Sequence, residues 1–383
     1  MSNAVLITRE PVINKQYKIT ANRLIVHAAT VAQAVEGLQG LADVWPATHP
    51  VFISLYRLVP TPDLLEWKAP ANAMVEIPTQ AIAHPLTLSL IPRLQEAGIS
   101  LNLTWYQPDT VVPPNVPWRF VIIDAKRQPL PADPPGLAIA WGLTDVPDFR
   151  DAIAQGYDGA SGWFFLRGVK TDGKLAPSHA QIVRLLNLVR RNAEVKDIEN
   201  VLKQDVALSY KLLRYINSAG FGLMCEIQSF RHAVTILGYE KLHKWLSVLL
   251  ISASRDPSAP ALMQTAIARG RFMEKIGSAF FEKGELDNLF ITGAFSMLHL
   301  LLGASLQSAL DEMHLPMPIY DALLTGDGVY APFLQLARAL ESFDDKQLAA
   351  LAADLHITSE QINRAHLEAL DLGAERLIDG RVS

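Results

Sequence analysis

Short apolar and β-branched runs recur in the first part of the chain: AVLIT, KITANRLIV, VFISLY, AMVEI, ISLNLTW, RFVIID, LAIAW and WFFL. Runs of this length predict strands, and those that are apolar throughout predict strands buried on both faces. Helical spacing appears between several of them, notably at 31–41 and 86–97. Strands alternating with helices predict βαβ units and a mostly parallel sheet. About 170 residues is short for a full eight-fold α/β barrel, so a reduced barrel is expected.

Beyond residue 175 the period changes to 3.6. Ile182, Leu185, Leu186 and Val189 form one apolar helix face, Leu208, Leu212, Tyr215 and Ile216 a second, and Leu242, Trp245, Leu246 and Leu249 a third. Asp205 reads as an N-cap, NSAGFG at 217–222 as a helix stop, and Asp344 with Gln347 as a capping box. Proline follows the same division: 18 of 24 lie in residues 1–175 and six in the remaining 208. Since proline breaks helix interiors, the second part reads as all-helical. The polar KTDGKLAPSH at 170–179 is the joint. The boundaries expected are 1–170, a linker at 171–179, 180–342, and a helical extension at 343–383.

Composition excludes intrinsic disorder, with half of the residues hydrophobic and 19% charged. The net charge of −5 divides into −1 over 1–175 (14 basic, 15 acidic) and −4 over 176–383 (20 basic, 24 acidic), so no basic patch advertises nucleic acid. A single cysteine, Cys225, and an N-terminus without the basic-then-apolar order of a secretory signal point to the cytoplasm. Asn288 to Leu310 carries no charge and has the length of a membrane span, but its polar residues and missing basic flanks favour buried helices.

Motifs for chemistry are scarce. Neither GxxxxGK[ST] nor a GxGxxG after a strand occurs, and GASG at 159–162 does not match a serine elbow. None of the ten histidines stands in metal-ligand spacing; His232, His243 and His299 lie on separate predicted helices and read as structural. Trp105, Trp118, Trp141 and Trp163 read as core aromatics rather than a stacking platform. Lys241 and Lys244, which flank Leu242 and His243, read as the solvated side of an apolar helix face.

Taken in order, the N-terminal landmarks resemble the EAL phosphodiesterase domain. ITREPVINKQYKITANRLIVHA (7–28) is similar to that family's opening "arqPIfdr…vayELLfR" hairpin, and VFISLY (51–56), AMVEIP (73–78), RFVIID (119–124), LAIAWGLTD (137–145) and GYDGASGWFFL (156–166) follow at the expected places. The resemblance covers about residues 7–168 and implies a reduced, degenerate barrel. Active members hold divalent cations through carboxylates and an asparagine, because two metals activate water and neutralise the scissile phosphate. Under this resemblance the signature glutamate falls on Arg23, the phosphate-facing arginine on His27 and the asparagine on Ser54. The paired aspartates fall on Thr104 and Trp105, the lysine on Ile122, and later glutamates on Trp141 and Thr144. Only Glu76 and Asp124 keep the family's residue type.

The second part resembles the HDOD domain, a relative of HD-type hydrolases without their metal-binding residues. DVALSYKLLRYINSAGFG (205–222), IQSFRHAVTILGYEKLHKWL (227–246) and the stretch from ARGRFMEKIG to PFLQLARALE (268–341) carry the resemblance. Together the two resemblances imply a non-catalytic bacterial signalling protein that contacts other signalling proteins, with no metal, cofactor or nucleic acid bound. The alternative they leave is a cyclic-di-GMP sensor that binds the dinucleotide without hydrolysing it.

Overall fold

The structure, a computed structural model, describes residues 5–107, 109–167, 177–203, 230–252, 257–311, 313–342 and 344–370. The chain divides into two compact units: Met1–Gly168 with Gln335–Glu368, and Val169–Leu334 with Ala369–Ser383.

The first unit is a closed barrel of eight strands in sequence order. They are β1 (Leu6–Asn14), β2 (Ile19–His27), β3 (Val51–Ser54), β4 (Ala73–Pro78), β5 (Ser100–Thr104), β6 (Phe120–Asp124), β7 (Leu137–Trp141) and β8 (Gly159–Ser161). β1 runs antiparallel to β2 and β8, and the remaining pairs are parallel. The β1–β2 hairpin closes through Asn14, whose Oδ1 accepts from the amides of Gln16 and Lys18, with Tyr17 in the left-handed region. Helices α1 (Val31–Gln39), α2 (Pro85–Glu96) and α3 (Val146–Ala154) cover parts of the outside.

The barrel is therefore reduced in helices and not in strands. No helix follows β5 or β6 among the described residues, and those connections carry Pro113, Pro114, Pro117, Pro129, Pro131, Pro134 and Pro135. Without amide hydrogens these prolines cannot continue an α-helical ladder. One strand lies elsewhere than expected. WFFL contributes a 3-10 turn at Phe164–Leu166, and the eighth strand is Gly159–Ser161. Its sequence lacks β-branched residues because packing decides it: a Cβ on Gly159 would stand 2.4 Å from the Ile13 carbonyl.

Period-two alternation fills the barrel. Val12, Ala21, Phe52, Met74, Ile122 and Ile139 form an apolar layer. One step further along the parallel strands, inward positions fall on Arg23, Ser54, Glu76 and Trp141. On antiparallel β1 the matching step runs backwards and falls on Glu10, which pairs in register with Arg23. The layer above the apolar floor is thus largely polar, and this creates the site.

The second unit contains α4 (Pro177–Arg190), α5 (Val195–Lys203), α6 (Phe230–Ser252), α7 (Ala259–Gly277), α8 (Lys283–Phe295), α9 (Leu298–Leu302), α10 (Leu306–Asp311) and the start of α11 (Ala331–Ala339), up to Leu334. The predicted face of Ile182, Leu185, Leu186 and Val189 is buried, as are Leu242, Leu246 and Leu249. α6 is two helices meeting at Gly238, whose φ of 74° suits glycine; His232 and His243 lie on either side. α7 and α8 approach closely, since a Cβ on Gly293 would stand 2.7 Å from the Cα of Gly270. Asn288 to Leu310 is divided among α8, α9 and α10, and no helix among the described residues is long and apolar enough to cross a membrane. The predicted Asp205 cap, the 217–222 stop, the 208–216 face, Cys225 and most of the joint lie outside the described residues.

After the helical unit the chain returns to the barrel with α12 (Asp345–Asp354) and α13 (Ser359–Leu370), at the place of the expected extension. Asp344 caps α12 by accepting from the Gln347 amide at 2.9 Å. β8 pairs only with residues 12–14 of β1, so the backbone groups of β1 nearer its start need other partners. The Ile7 amide donates to Asn363 Oδ1 at 3.0 Å, Asn363 Nδ2 donates to the Val5 carbonyl at 2.9 Å, and the Arg9 amide donates to the Leu340 carbonyl at 3.0 Å. A segment far along the sequence completes the edge of the first strand.

Candidate functional site at the barrel mouth

Arg23 is the centre of the mouth. Its guanidinium is 3% exposed, with Nε donating to Glu76 Oε1 at 2.6 Å and Nη2 to Glu76 Oε2 at 2.8 Å. Nη1 donates to Glu10 Oε2 at 2.8 Å, and Nη2 also reaches Ser54 Oγ at 3.3 Å. Ser161 Oγ donates to the same Glu10 oxygen at 3.2 Å. This fork-on-carboxylate pairing is the strongest geometry open to arginine. Burial opposes the charge, yet the carboxylates of Glu76 and then Glu10 outweigh it and raise the guanidinium above the usual arginine range.

The ring of Trp105 lies 5.8 Å from the Arg23 guanidinium and meets Trp141 edge to face at 4.7 Å. With Arg23, Ser54, Glu76 and Thr104, these two rings line one cavity of about 250 Å³. The rings narrow the mouth without filling it. Six of the ten expected positions therefore come together.

The other four do not line that cavity. His27 shares a hydrogen bond with Thr8 Oγ1 at 2.9 Å and packs on Tyr56 at 4.8 Å; burial first, then Arg57, hold its imidazole below the usual range against Asp345. Ile122 belongs to the apolar floor. Asp124 pairs with Arg127 at 3.2 Å, and Thr144 donates to Asp148. Among the tryptophans read as core, Trp118 is buried and Trp163 lies under the Arg9 guanidinium at 5.5 Å.

Two members were not found from the sequence. Glu10 is the carboxylate that joins Glu76 on Arg23, and Tyr56 belongs to the cavity wall. The signal for Glu10 was the residue before Pro11 in the first hairpin, placed opposite Arg23 by the turn. A divalent cation of the magnesium or calcium class takes six or more oxygen ligands. The oxygens that converge here, from Glu10, Glu76 and Ser54, converge on a guanidinium, so the donor set does not fit a metal ion. Among the described residues no group of three or more histidine, cysteine, aspartate or glutamate side chains is arranged to hold one.

The family model for the HDOD domain matches residues 175–311. Cyclic di-GMP phosphodiesterase CdgJ of Vibrio cholerae is 25% identical over 224 residues, 58% of this chain and 52% of that protein. Uncharacterized protein YuxH of Bacillus subtilis is 23% identical over 229 residues, 58% of this chain and 55% of that protein. The chain thus matches about half the length of these curated relatives. The solved EAL domain of Mycobacterium smegmatis DcpA aligns with TM-score 0.32 at 14% identity, covering 42% of this chain and 90% of that one. Residues 175–311 match the HDOD domain, and the chain is similar over 58% of its length to these two relatives.

Proposed function

We propose that this chain is a non-catalytic regulatory protein that works through contacts with other signalling proteins in a cyclic-di-GMP pathway. The observation that supports this reading is the buried Arg23 cluster. Hydrolysis of a phosphodiester by metal ions needs cations between carboxylates at the mouth. Here a guanidinium stands there and donates four hydrogen bonds. A divalent cation entering the same place would meet like charge and would have to break that pairing. The single cysteine and the absence of a basic patch favour a cytoplasmic role without nucleic acid.

Incubation of the full chain with cyclic di-GMP and manganese or magnesium is expected to give no linear product. Arg23→Glu alone is expected to remain inactive, because Ser54, Thr104, Trp105, Ile122 and Trp141 still supply no ligand carboxylate. Turnover by either protein would overturn the reading.

The cavity beside Arg23 favours one second reading, a sensor that binds cyclic di-GMP without cleaving it. Arg23 is committed to Glu76 and Glu10, which leaves it poorly placed to pair with phosphate. A dissociation constant below roughly 10 μM by calorimetry, about −7 kcal/mol, lost in Arg23→Ala, would put the sensor in place of the regulatory module.

A further inference from the structure

The lining of the mouth cavity holds more aromatic surface than the charge cluster explains. We infer that the cavity binds a small, uncharged, planar aromatic molecule of one or two fused rings, an inference that rests on the non-catalytic reading of the mouth. Four observations carry it.

The first is size. About 250 Å³ lies below the roughly 300–1,000 Å³ of pockets for drug-sized ligands, and well below the needs of a molecule with two guanines and two phosphates. The second is the wall, where Leu55, Leu58 and Pro78 stand with Tyr56, Trp105 and Trp141. Trp105 and Trp141 hold each other edge to face, so both rings are ordered before a ligand arrives.

The third is the backbone. Tyr56 has φ 55° and Trp105 φ 59°, two of five non-glycine residues in the left-handed region among those described. Bulky residues rarely adopt this conformation, and such outliers gather at ligand clamps. Both occur where a strand ends at the mouth, after β3 and β5. At Trp105 the strained peptide is fastened, since Thr79 Oγ1 donates to its carbonyl at 2.6 Å. Glycine would relieve the conformation at either place, yet the chain carries large rings there.

The fourth is charge. Counting formal charges, Arg23, Glu10 and Glu76 sum to −1, which disfavours anions. Arg23 already lies over Trp105, the place a ligand cation would seek. A neutral ring meets neither obstacle.

The test uses the full chain and 5-fluoroindole, followed by fluorine NMR without metal or nucleotide. Binding is expected to saturate with a dissociation constant on the order of 1 mM or tighter. Trp105→Gly and Tyr56→Gly keep a residue suited to the local φ, and each is expected to weaken binding about tenfold while circular dichroism remains unchanged. Indole-5-carboxylate is expected to bind at least about tenfold more weakly than the neutral ring. Failure to saturate up to the solubility limit, equal affinity in both folded glycine variants, or equal affinity for the anion would overturn the inference. Hydrolysis of cyclic di-GMP would overturn the regulatory reading instead, and that separate assay leaves the fluorine titration to be judged alone.

Discussion

One guanidinium holds two buried carboxylates at the mouth, so the stability of the site depends on all three residues together. Breaking a buried ion pair from one side typically costs about 3–5 kcal/mol, whereas replacing the whole group by apolar residues can be neutral. Arg23→Ala is expected to lower unfolding stability in urea by about that amount, and the triple variant Arg23→Met, Glu10→Gln, Glu76→Met to recover most of it. A loss below about 1 kcal/mol in Arg23→Ala would show that the cluster is solvated and weak. His366 sets a pH dependence in the same unit. Burial first, then the Arg9 charge, push its imidazole from 6.5 down to about 3, against a hydrogen bond to the Ile7 backbone. The folded state therefore binds fewer protons than the unfolded state below pH 6.5. The contribution is complete above about 6.5 and is lost as pH falls from there toward 3, by at most about 1.4 kcal/mol per pH unit. Stability at pH 5 is expected to fall below that at pH 7.5, and His366→Gln to lose less over the same interval. An equal drop in both proteins would move the acid sensitivity to another histidine, with His243, held down at about 4 by burial and then Arg190, the first candidate.

Among the elements, β1 is the one whose partners come from far along the chain. Asn363 acts as a surrogate strand, receiving the Ile7 amide and donating to the Val5 carbonyl while 3% exposed. Asn363→Ala leaves both groups without that partner, and a buried unsatisfied group costs roughly 1–3 kcal/mol. Hydrogen exchange at the Ile7 amide is expected to accelerate accordingly, with the β4 and β5 amides unchanged; unaltered exchange at Ile7 would assign the edge to other contacts. This dependence explains what was legible in the sequence. Seven of the eight strands followed from local runs such as VFISLY and RFVIID, because each is buried on both faces and its composition records that burial. The eighth, Gly159–Ser161, did not, because close approach to β1 demanded glycine where the pattern sought bulk. Arg23, Ser54, Glu76, Thr104 and Trp141 were named from family landmarks that fall on strands with regular spacing, and Trp105 from its place directly after β5. Glu10 and Tyr56 escaped: the first needed the reversed direction of β1, and the second a left-handed residue just past a strand end. The return of 335–368 to the barrel is a tertiary fact with no local signal, since amphipathic helices at 345–354 and 359–370 suit any apolar surface.

At the scale of the whole molecule, the barrel unit is discontinuous in sequence. The chain leaves it at Gly168 and rejoins it at Gln335, so in sequence the helical unit is inserted between two segments of the barrel unit. A cut in the joint should therefore not release the barrel as a free fragment. Its N-terminal piece would still hold residues 335–368 through Asn363, the Arg9 amide to Leu340, and the Arg364–Asp43 ion pair at 2.6 Å. The ion pair is exposed and adds little. The buried hydrogen bonds and the apolar faces of α12 and α13, including Leu348, Ile362 and Leu367, carry the association. The measurement is to place a specific protease site within 171–174, cleave the folded protein, and pass it over a sizing column. The two fragments are expected to elute together at the position of the intact chain and to separate in urea. After cleavage, Asn363→Ala is expected to weaken co-elution, and deletion of 343–383 to abolish it. If the N-terminal fragment of the otherwise unaltered protein elutes alone and folded under native conditions, residues 335–368 are dispensable to the barrel, and the first strand must close its edge in another way.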